Sequence, residues 1–248
     1  MFKHVFKTIN DMKTIFYPAN ERGTNDIGWL KAKFSFSFGP YYHPDKVHFG
    51  ALRVLNDDII GAGGGFGSHP HDNMEIITIP LSGTIEHKDS MGNIGVIKAG
   101  EIQVMSAGTG ITHSEYNHSQ TEDAKALQIW LFPKERNIKP RYDQKSFTDV
   151  LEANKLVKLV SPDKEAKDTL WINQDAEFTM GDFEAGKQID YKISRPGNGV
   201  YVFVIEGSVK INDQVLAKRD ALGVYDTDNL SLETQDNTRI LIMDIPML

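Results

Sequence analysis

The placement of glycine constrains this chain more than any other feature. Its 21 glycines recur between short runs of β-branched and aromatic residues. Residues 76–81 lead to Ser82-Gly83, residues 84–87 precede Gly92, Val96-Ile97 precede Gly100, and residues 102–105 precede Gly108. Residues 127–132 end at Pro133. Short strands at this spacing, broken by turn residues, predict an all-β sandwich or barrel. The helical period is weak through this stretch. Short helices are expected only near residues 147–154 and 164–169, between two β-rich halves.

The second half repeats the rhythm of the first. Residues 201–205 and Glu206-Gly207 match residues 76–81 and Ser82-Gly83. Leu216-Ala217-Lys218-Arg219-Asp220 matches Ile97-Lys98-Ala99-Gly100-Glu101, and residues 240–245 before Pro246 match residues 127–132 before Pro133. Three landmarks in the same order predict an internal duplication of one β-barrel unit. The expected domains are residues 1–135 and 136–248, and the end of the second can pack back on the first. All eight histidines lie at or before residue 118. If the halves are copies, only the first kept histidine ligands.

Composition narrows the chemistry. With 248 residues, 40% of them hydrophobic, the chain can bury a sizeable core. It has no cysteine, which removes disulfides, thiolate metal sites and cysteine nucleophiles. Any transition metal must therefore be held by imidazole and carboxylate. The formal net charge of −7 argues against direct nucleic-acid binding. Met1 to Phe16 mixes Lys, Asp and His among apolar residues and has no signal-peptide core. No apolar run reaches the length of a membrane span. A cytoplasmic protein is the expectation.

Two glycine-rich segments carry the chemistry. The first runs Gly63-Gly64-Gly65-Phe66-Gly67-Ser68-His69-Pro70-His71-Asp72-Asn73-Met74-Glu75. The second runs Gly108-Thr109-Gly110-Ile111-Thr112-His113-Ser114-Glu115-Tyr116-Asn117-His118. In an extended strand, residues two apart share a face. His69 and His71 therefore point together, and so do His113 and Glu115. Glu75 joins the first pair if that strand continues regularly. Where the two strands meet, four or five ligand groups converge. Imidazole with carboxylate suits Fe(II), Mn, Ni, Cu or Zn better than Ca or Mg, and so few protein ligands leave open positions. A lone His-x-His is often a surface feature; the second pair in a similar setting is what points to a metal. His4, His43, His48, His87 and His118 lack such partners, so surface or structural roles are expected for them.

These segments resemble a known family. Gly63-x5-His69-x-His71-x3-Glu75-x7-Gly83 is similar to the first cupin motif, with one extra residue before the last glycine. Gly110-x2-His113-x3-Asn117 is similar to the end of the second, with Gly108 where a proline is usual. The finer resemblance is to pirins, especially bacterial pirin-like quercetin dioxygenases. It is carried by Glu21-Arg22-Gly23, Gly28-Trp29-Leu30, Leu52-Arg53-Val54, Gly65-Phe66-Gly67-x-His69-Pro70-His71, Asp89-Ser90-Met91-Gly92-Asn93, Met105-Ser106-Ala107-Gly108-Thr109-Gly110-Ile111, His113-Ser114-Glu115-Tyr116-Asn117 and Gln128-Ile129-Trp130. The second half resembles the family by pattern and position only. Pirins often have a histidine where Phe34 stands and a basic residue where Asp72 stands.

The resemblance implies two cupin-type β-barrels, a bicupin, with the metal in the first. It implies His69, His71, His113 and Glu115 as ligands of one mononuclear divalent metal, and a supporting role for Glu75. Fe(II) is the expected ion because open His-and-carboxylate sites suit dioxygen chemistry; Zn, Ni, Cu or Mn are alternatives. The implied reaction is oxygenolytic opening of a flavonol such as quercetin, with loss of carbon monoxide and Glu115 as proton acceptor. Phe36, Phe38, Phe66 and Met105 are candidate pocket walls. The rival implication is a metal- or redox-sensing regulator that binds a transcription factor or a metabolic enzyme. An open pocket favours the enzyme and a sealed metal favours the sensor. A sugar isomerase would need more polar and basic pocket residues.

Overall fold

The computed structural model describes residues 12–248. His4 and most of the Met1-to-Phe16 segment lie outside the described residues. Twenty-two strands form among the described residues. In order they are β1 (Lys13–Tyr17), β2 (Gly23–Asp26), β3 (Leu30–Phe34), β4 (Leu52–Ile60), β5 (Gly65–His71), β6 (Glu75–Ser82), β7 (Thr84–Asp89), β8 (Ile94–Lys98), β9 (Glu101–Ser106), β10 (Ile111–Asn117) and β11 (Ala124–Leu131). They continue with β12 (Arg141–Ser146), β13 (Val157–Ser161), β14 (Leu170–Trp171), β15 (Glu177–Phe183), β16 (Gln188–Lys192), β17 (Asn198–Glu206), β18 (Val209–Ile211), β19 (Gln214–Leu216), β20 (Ala221–Tyr225), β21 (Asn229–Thr234) and β22 (Thr238–Pro246).

The expected all-β class holds, but the two expected helices do not form. Residues 147–151 make a single turn, in which the Val150 and Leu151 amides donate to the Phe147 carbonyl. Phe147 is buried in the core and Leu151 packs against the same core, so these side chains pin the segment without a longer helix. Residues 164–169 are bends and turns. The one helix among the described residues is a 3-10 turn at Ala19–Glu21. No helix among them is long and apolar enough to cross a membrane.

The strands build two similar units. In the first, a seven-stranded sheet, β12-β9-β6-β11-β4-β3-β2, faces a four-stranded sheet, β5-β10-β7-β8. In the second, β1-β20-β17-β22-β15-β13-β14 faces β16-β21-β18-β19. Strands β9, β6, β11 and β4 of the first occupy the places of β20, β17, β22 and β15 in the second. The matching turns agree as well: Gly83 after β6 has φ +73 and Gly207 after β17 has φ +78. A side chain at either glycine would collide with backbone, at 2.9 Å from the Ala124 Cα and against the Asn237 carbonyl.

Two apolar layers result. The seven-stranded sheets meet through Leu55, Ile77, Leu127, Phe178, Tyr201, Phe203 and Leu241, among others. Inside the second barrel, Ile189, Val202, Leu222, Leu232 and Ile242 fill the space between its own sheets. The edge strands are exchanged. β1, from the start of the chain, pairs with β20 of the second unit. β12, beyond residue 135, pairs with β9 of the first.

Candidate metal centre

Strands β5 and β10 run antiparallel in the first barrel, with His113 opposite His69 and Ile111 opposite His71. Strand alternation turns His69 and His71 to one face. The three rings stand 4.4 Å (His69–His113), 4.8 Å (His69–His71) and 4.9 Å (His71–His113) apart, centre to centre. One ligand-capable nitrogen from each lies within 4.8 Å of the others. A register shift between His113 and Glu115 sets Glu115 opposite Phe66. Glu115 gathers within the same limit with His113 and His87, so His113 belongs to both triplets.

Hydrogen bonds fix which nitrogens are free. His69 Nδ1 lies 2.8 Å from the Gly67 carbonyl. A carbonyl only accepts, so Nδ1 carries the proton and Nε2 keeps its lone pair. His113 Nδ1 lies 3.4 Å from His87 Nδ1, and His87 Nε2 lies 3.2 Å from Asp89 Oδ2. Burial raises the Asp89 carboxyl. Donation from Asn93, His87 and Met91 outweighs that and leaves it below the usual range. Asp89 is thus an acceptor, which makes His87 a donor at Nε2 and an acceptor at Nδ1. His113 then donates from Nδ1 and holds a lone pair on Nε2, a buried atom with no protein partner. Tyr142 from β12 stacks on the His87 ring at 4.6 Å and holds this chain from behind.

Two of the three imidazoles, His71 and His113, are held in the neutral form. Burial, reinforced by His69, His71 and His87, pushes His113 down to about 3. Burial and His69 push His71 down to about 4. Neutral imidazole is the ligand form. Glu115 is buried. Its Oε1 accepts from Thr78 Oγ1 at 3.2 Å and from Gln128 Nε2 at 3.2 Å, and its Oε2 accepts from Gln128 Nε2 at 3.0 Å. Asp58, on the same interior face, is pushed up to about 8 by burial, with Asp57 and Glu115 adding to the effect.

Glu75 does not share the histidine face. The strand stops at His71, Asn73 takes φ +45, and β6 starts anew at Glu75 in the other sheet. There its Oε2 accepts from Ser106 Oγ at 2.7 Å and from the Asn173 amide at 3.1 Å. Burial pushes its carboxyl up to about 7 against those donors. Glu75 therefore ties the first barrel to a loop of the second.

A pocket of about 540 Å³ opens beside His71, between Asp72, Met74, Ser90, Ile111, Thr112 and Trp130. None of the four expected wall residues lines it. Phe36 lies in the core between the barrels. Phe38 packs on Trp130 at 5.3 Å, Phe66 on Trp29 at 5.1 Å, and Met105 against Ile76 and Ile111. Trp130 instead stands 4.8 Å from the His71 ring. Of the remaining histidines, His118 pairs with Glu86 at the surface and His48 packs on Phe132. His87 is buried beside the centre. Its spacing to Asp89, the same two-residue step as the other pairs, was the available signal.

Fold and site together define a bicupin with a histidine-lined centre in its first barrel and none in its second. Comparison with known proteins agrees. Residues 16–131 match the pirin family and residues 158–245 match a quercetinase C-terminal cupin domain. The chain is 44% identical to a quercetin 2,3-dioxygenase of Escherichia coli K12, over 92% of this chain and 96% of the relative. It is 38% identical to a pirin-like protein of Caulobacter vibrioides, over 92% and 97%. A bacterial pirin of Escherichia coli, YhhW, crystallised with nickel(II), superposes with a TM-score of 0.89 at 41% identity, over 95% of this chain and 100% of the other. This chain belongs to the pirin family.

Proposed function

We propose that this chain is a metal-dependent dioxygenase of the quercetin 2,3-dioxygenase type, in which His69, His71, His113 and Glu115 hold one divalent transition metal. The observation that carries the reading is the buried, unpartnered Nε2 of His113 where three imidazoles converge. A buried polar atom without a partner is costly, and an electron-pair acceptor at that point would satisfy it. Imidazole and carboxylate suit Fe(II), Mn, Ni, Cu or Zn. We assign Fe(II) for dioxygen chemistry; the nickel complex of the Escherichia coli pirin supports a site of broad acceptance.

When bound, the metal supplies Lewis acidity toward a substrate hydroxyl and open positions for small ligands. The protein does the rest. Thr78 and Gln128 keep the Glu115 oxygens as acceptors, so a proton leaving the flavonol hydroxyl has a positioned base. Burial raises Asp58 to about 8, which keeps it from adding a second buried carboxylate charge near Glu115. Met74, Ile111 and Trp130 offer apolar walls to a flat aromatic. That pocket opens to solvent beside His71, which supports turnover over a sealed sensor.

The test is oxygen uptake and carbon monoxide release with quercetin, by protein loaded separately with Fe(II), Mn, Ni, Cu and Zn. We expect metal-dependent turnover that disappears in His69→Ala. One metal per chain with no turnover in any form would refute the dioxygenase and favour a regulatory partner role.

A further inference from the structure

Away from the metal centre, cations gather at the seam of the two barrels without enough carboxylates to pair them. The outer face of the first seven-stranded sheet is apolar where it meets its partner, at Leu55 and Leu127. Where that face leaves the contact it becomes basic. Lys31 and Lys125 both sit opposite Ile59, on either side of β4, and Lys33 sits opposite Asp57. Lys218 and Arg219 reach the same place from the turn between β19 and β20 of the second barrel. Together with Thr24 and Asp26 they line a groove of about 440 Å³.

The charges do not balance. No ion pair engages Lys31, Lys33 or Lys125 among the described residues; Lys218 pairs with Glu206 at 2.7 Å. One oxygen of Asp57 is shared by Arg22 at 3.3 Å and Arg219 at 3.3 Å. Both guanidiniums keep a buried nitrogen without a partner, Nε of Arg22 and Nη1 of Arg219. Like charges on neighbouring strands repel, and unpaired buried donors are costly. In a chain with a net charge of −7, such a cluster is a local reversal of sign.

The backbone adds a further observation. Arg219 takes φ +70, a left-handed conformation that is uncommon outside glycine. In the matching turn of the first barrel the same place is Gly100, at φ +90. The second barrel thus places an arginine where glycine is the relaxed choice, and that arginine lines the groove.

We infer that this groove binds a small multivalent oxyanion carrying phosphate or carboxylate groups. Such a ligand supplies what the cluster lacks. Within the groove its oxygens meet Arg219 and the lysine ammoniums, and its charge offsets three otherwise unpaired lysines. The site is independent of the metal centre.

The test is calorimetric titration of the metal-loaded protein with inorganic pyrophosphate and, separately, with citrate, at low ionic strength. We expect saturable binding of one anion per chain, with the tighter of the two naming the phosphate or carboxylate class. Affinity should fall by about tenfold or more in the Lys31→Ala/Lys33→Ala double variant, recover in Lys31→Arg/Lys33→Arg, and stay unchanged in His69→Ala. Absence of saturable binding by either anion would overturn the inference. So would equal binding by the double alanine variant, or loss of binding in His69→Ala, which would place the anion at the metal centre.

Discussion

The two barrels share one strand plan and differ in what fills them. In the first, β10 sets His113 opposite His69. In the second, the matching pair sets Leu230 opposite Tyr191. Thr78 and Gln128 face each other across β6 and β11, where Val202 and Ile242 do so across β17 and β22. Gln103 of β9 stands where the second barrel has Leu222 of β20. The second interior is a closed apolar core. The first carries His113, Glu115, Asp58, Gln103 and His87 out of solvent, and several of their polar atoms lack a protein partner. One copy spends its interior on stability, and the other keeps polar groups ready for a ligand.

The contrast can be broken most sharply at the triplet. His113→Ala should abolish stoichiometric metal binding and quercetin-dependent oxygen uptake while the fold persists, because the second barrel and the core between the barrels are untouched. Metal analysis and circular dichroism on one sample check this. Next in size is Ile242→Ala in the second barrel, which should cost about 2–5 kcal/mol in denaturant unfolding. Its counterpart Gln128→Ala should cost clearly less stability but lower turnover, since it frees the Glu115 carboxylate. Equal stability losses would remove the division of labour.

A fourth variant addresses the backing of His113, a proposed metal ligand. His87→Phe keeps the ring stacked under Tyr142 but removes the acceptor for His113 Nδ1. Metal affinity should drop by about 10–100-fold, with a changed ligand-field spectrum of the cobalt(II) form. An unchanged spectrum and affinity would reduce His87 to core packing.

A further effect concerns pH. His113 and His71 are held below their usual value by burial, at about 3 and about 4. The unfolded chain binds their protons near 6.5, and the folded one does not. Metal-free protein should therefore keep this contribution above about pH 6.5 and lose it as pH falls toward 4. Melting temperatures from pH 7 to 4.5 check the sign, and a His71→Phe/His113→Phe variant should show the shallower slope.

Much of this was legible in the sequence. Glycine punctuation gave the all-β class, and the repeat of residues 76–83 at 201–207 foresaw two matching units. Period-two spacing puts His69 and His71 on one face of β5, but it carries no sign of the register shift between His113 and Glu115. It failed for Glu75, where the left-handed Asn73 ends one strand and a new sheet begins. The expected helix at residues 147–154 failed because Phe147 and Leu151 reach the core from a single turn, which needs no longer helix. Neither Trp130 nor Asp58 stood out as part of the site, since which strand faces they share depends on long-range pairing that no local window contains.

The exchanged edge strands bear on the history and handling of the molecule. A freshly duplicated barrel could have lived apart from its twin. Once the chain's first strand completes the distant sheet and β12 completes the near one, neither half is a whole object. Cutting the chain after residue 135 would strip β9 of one of its two neighbours and leave β1 with no sheet to join, exposing an open edge to other molecules. The twins have become hostages to each other. A protease or an engineer should find no clean place to part them, and a single melting transition should report both.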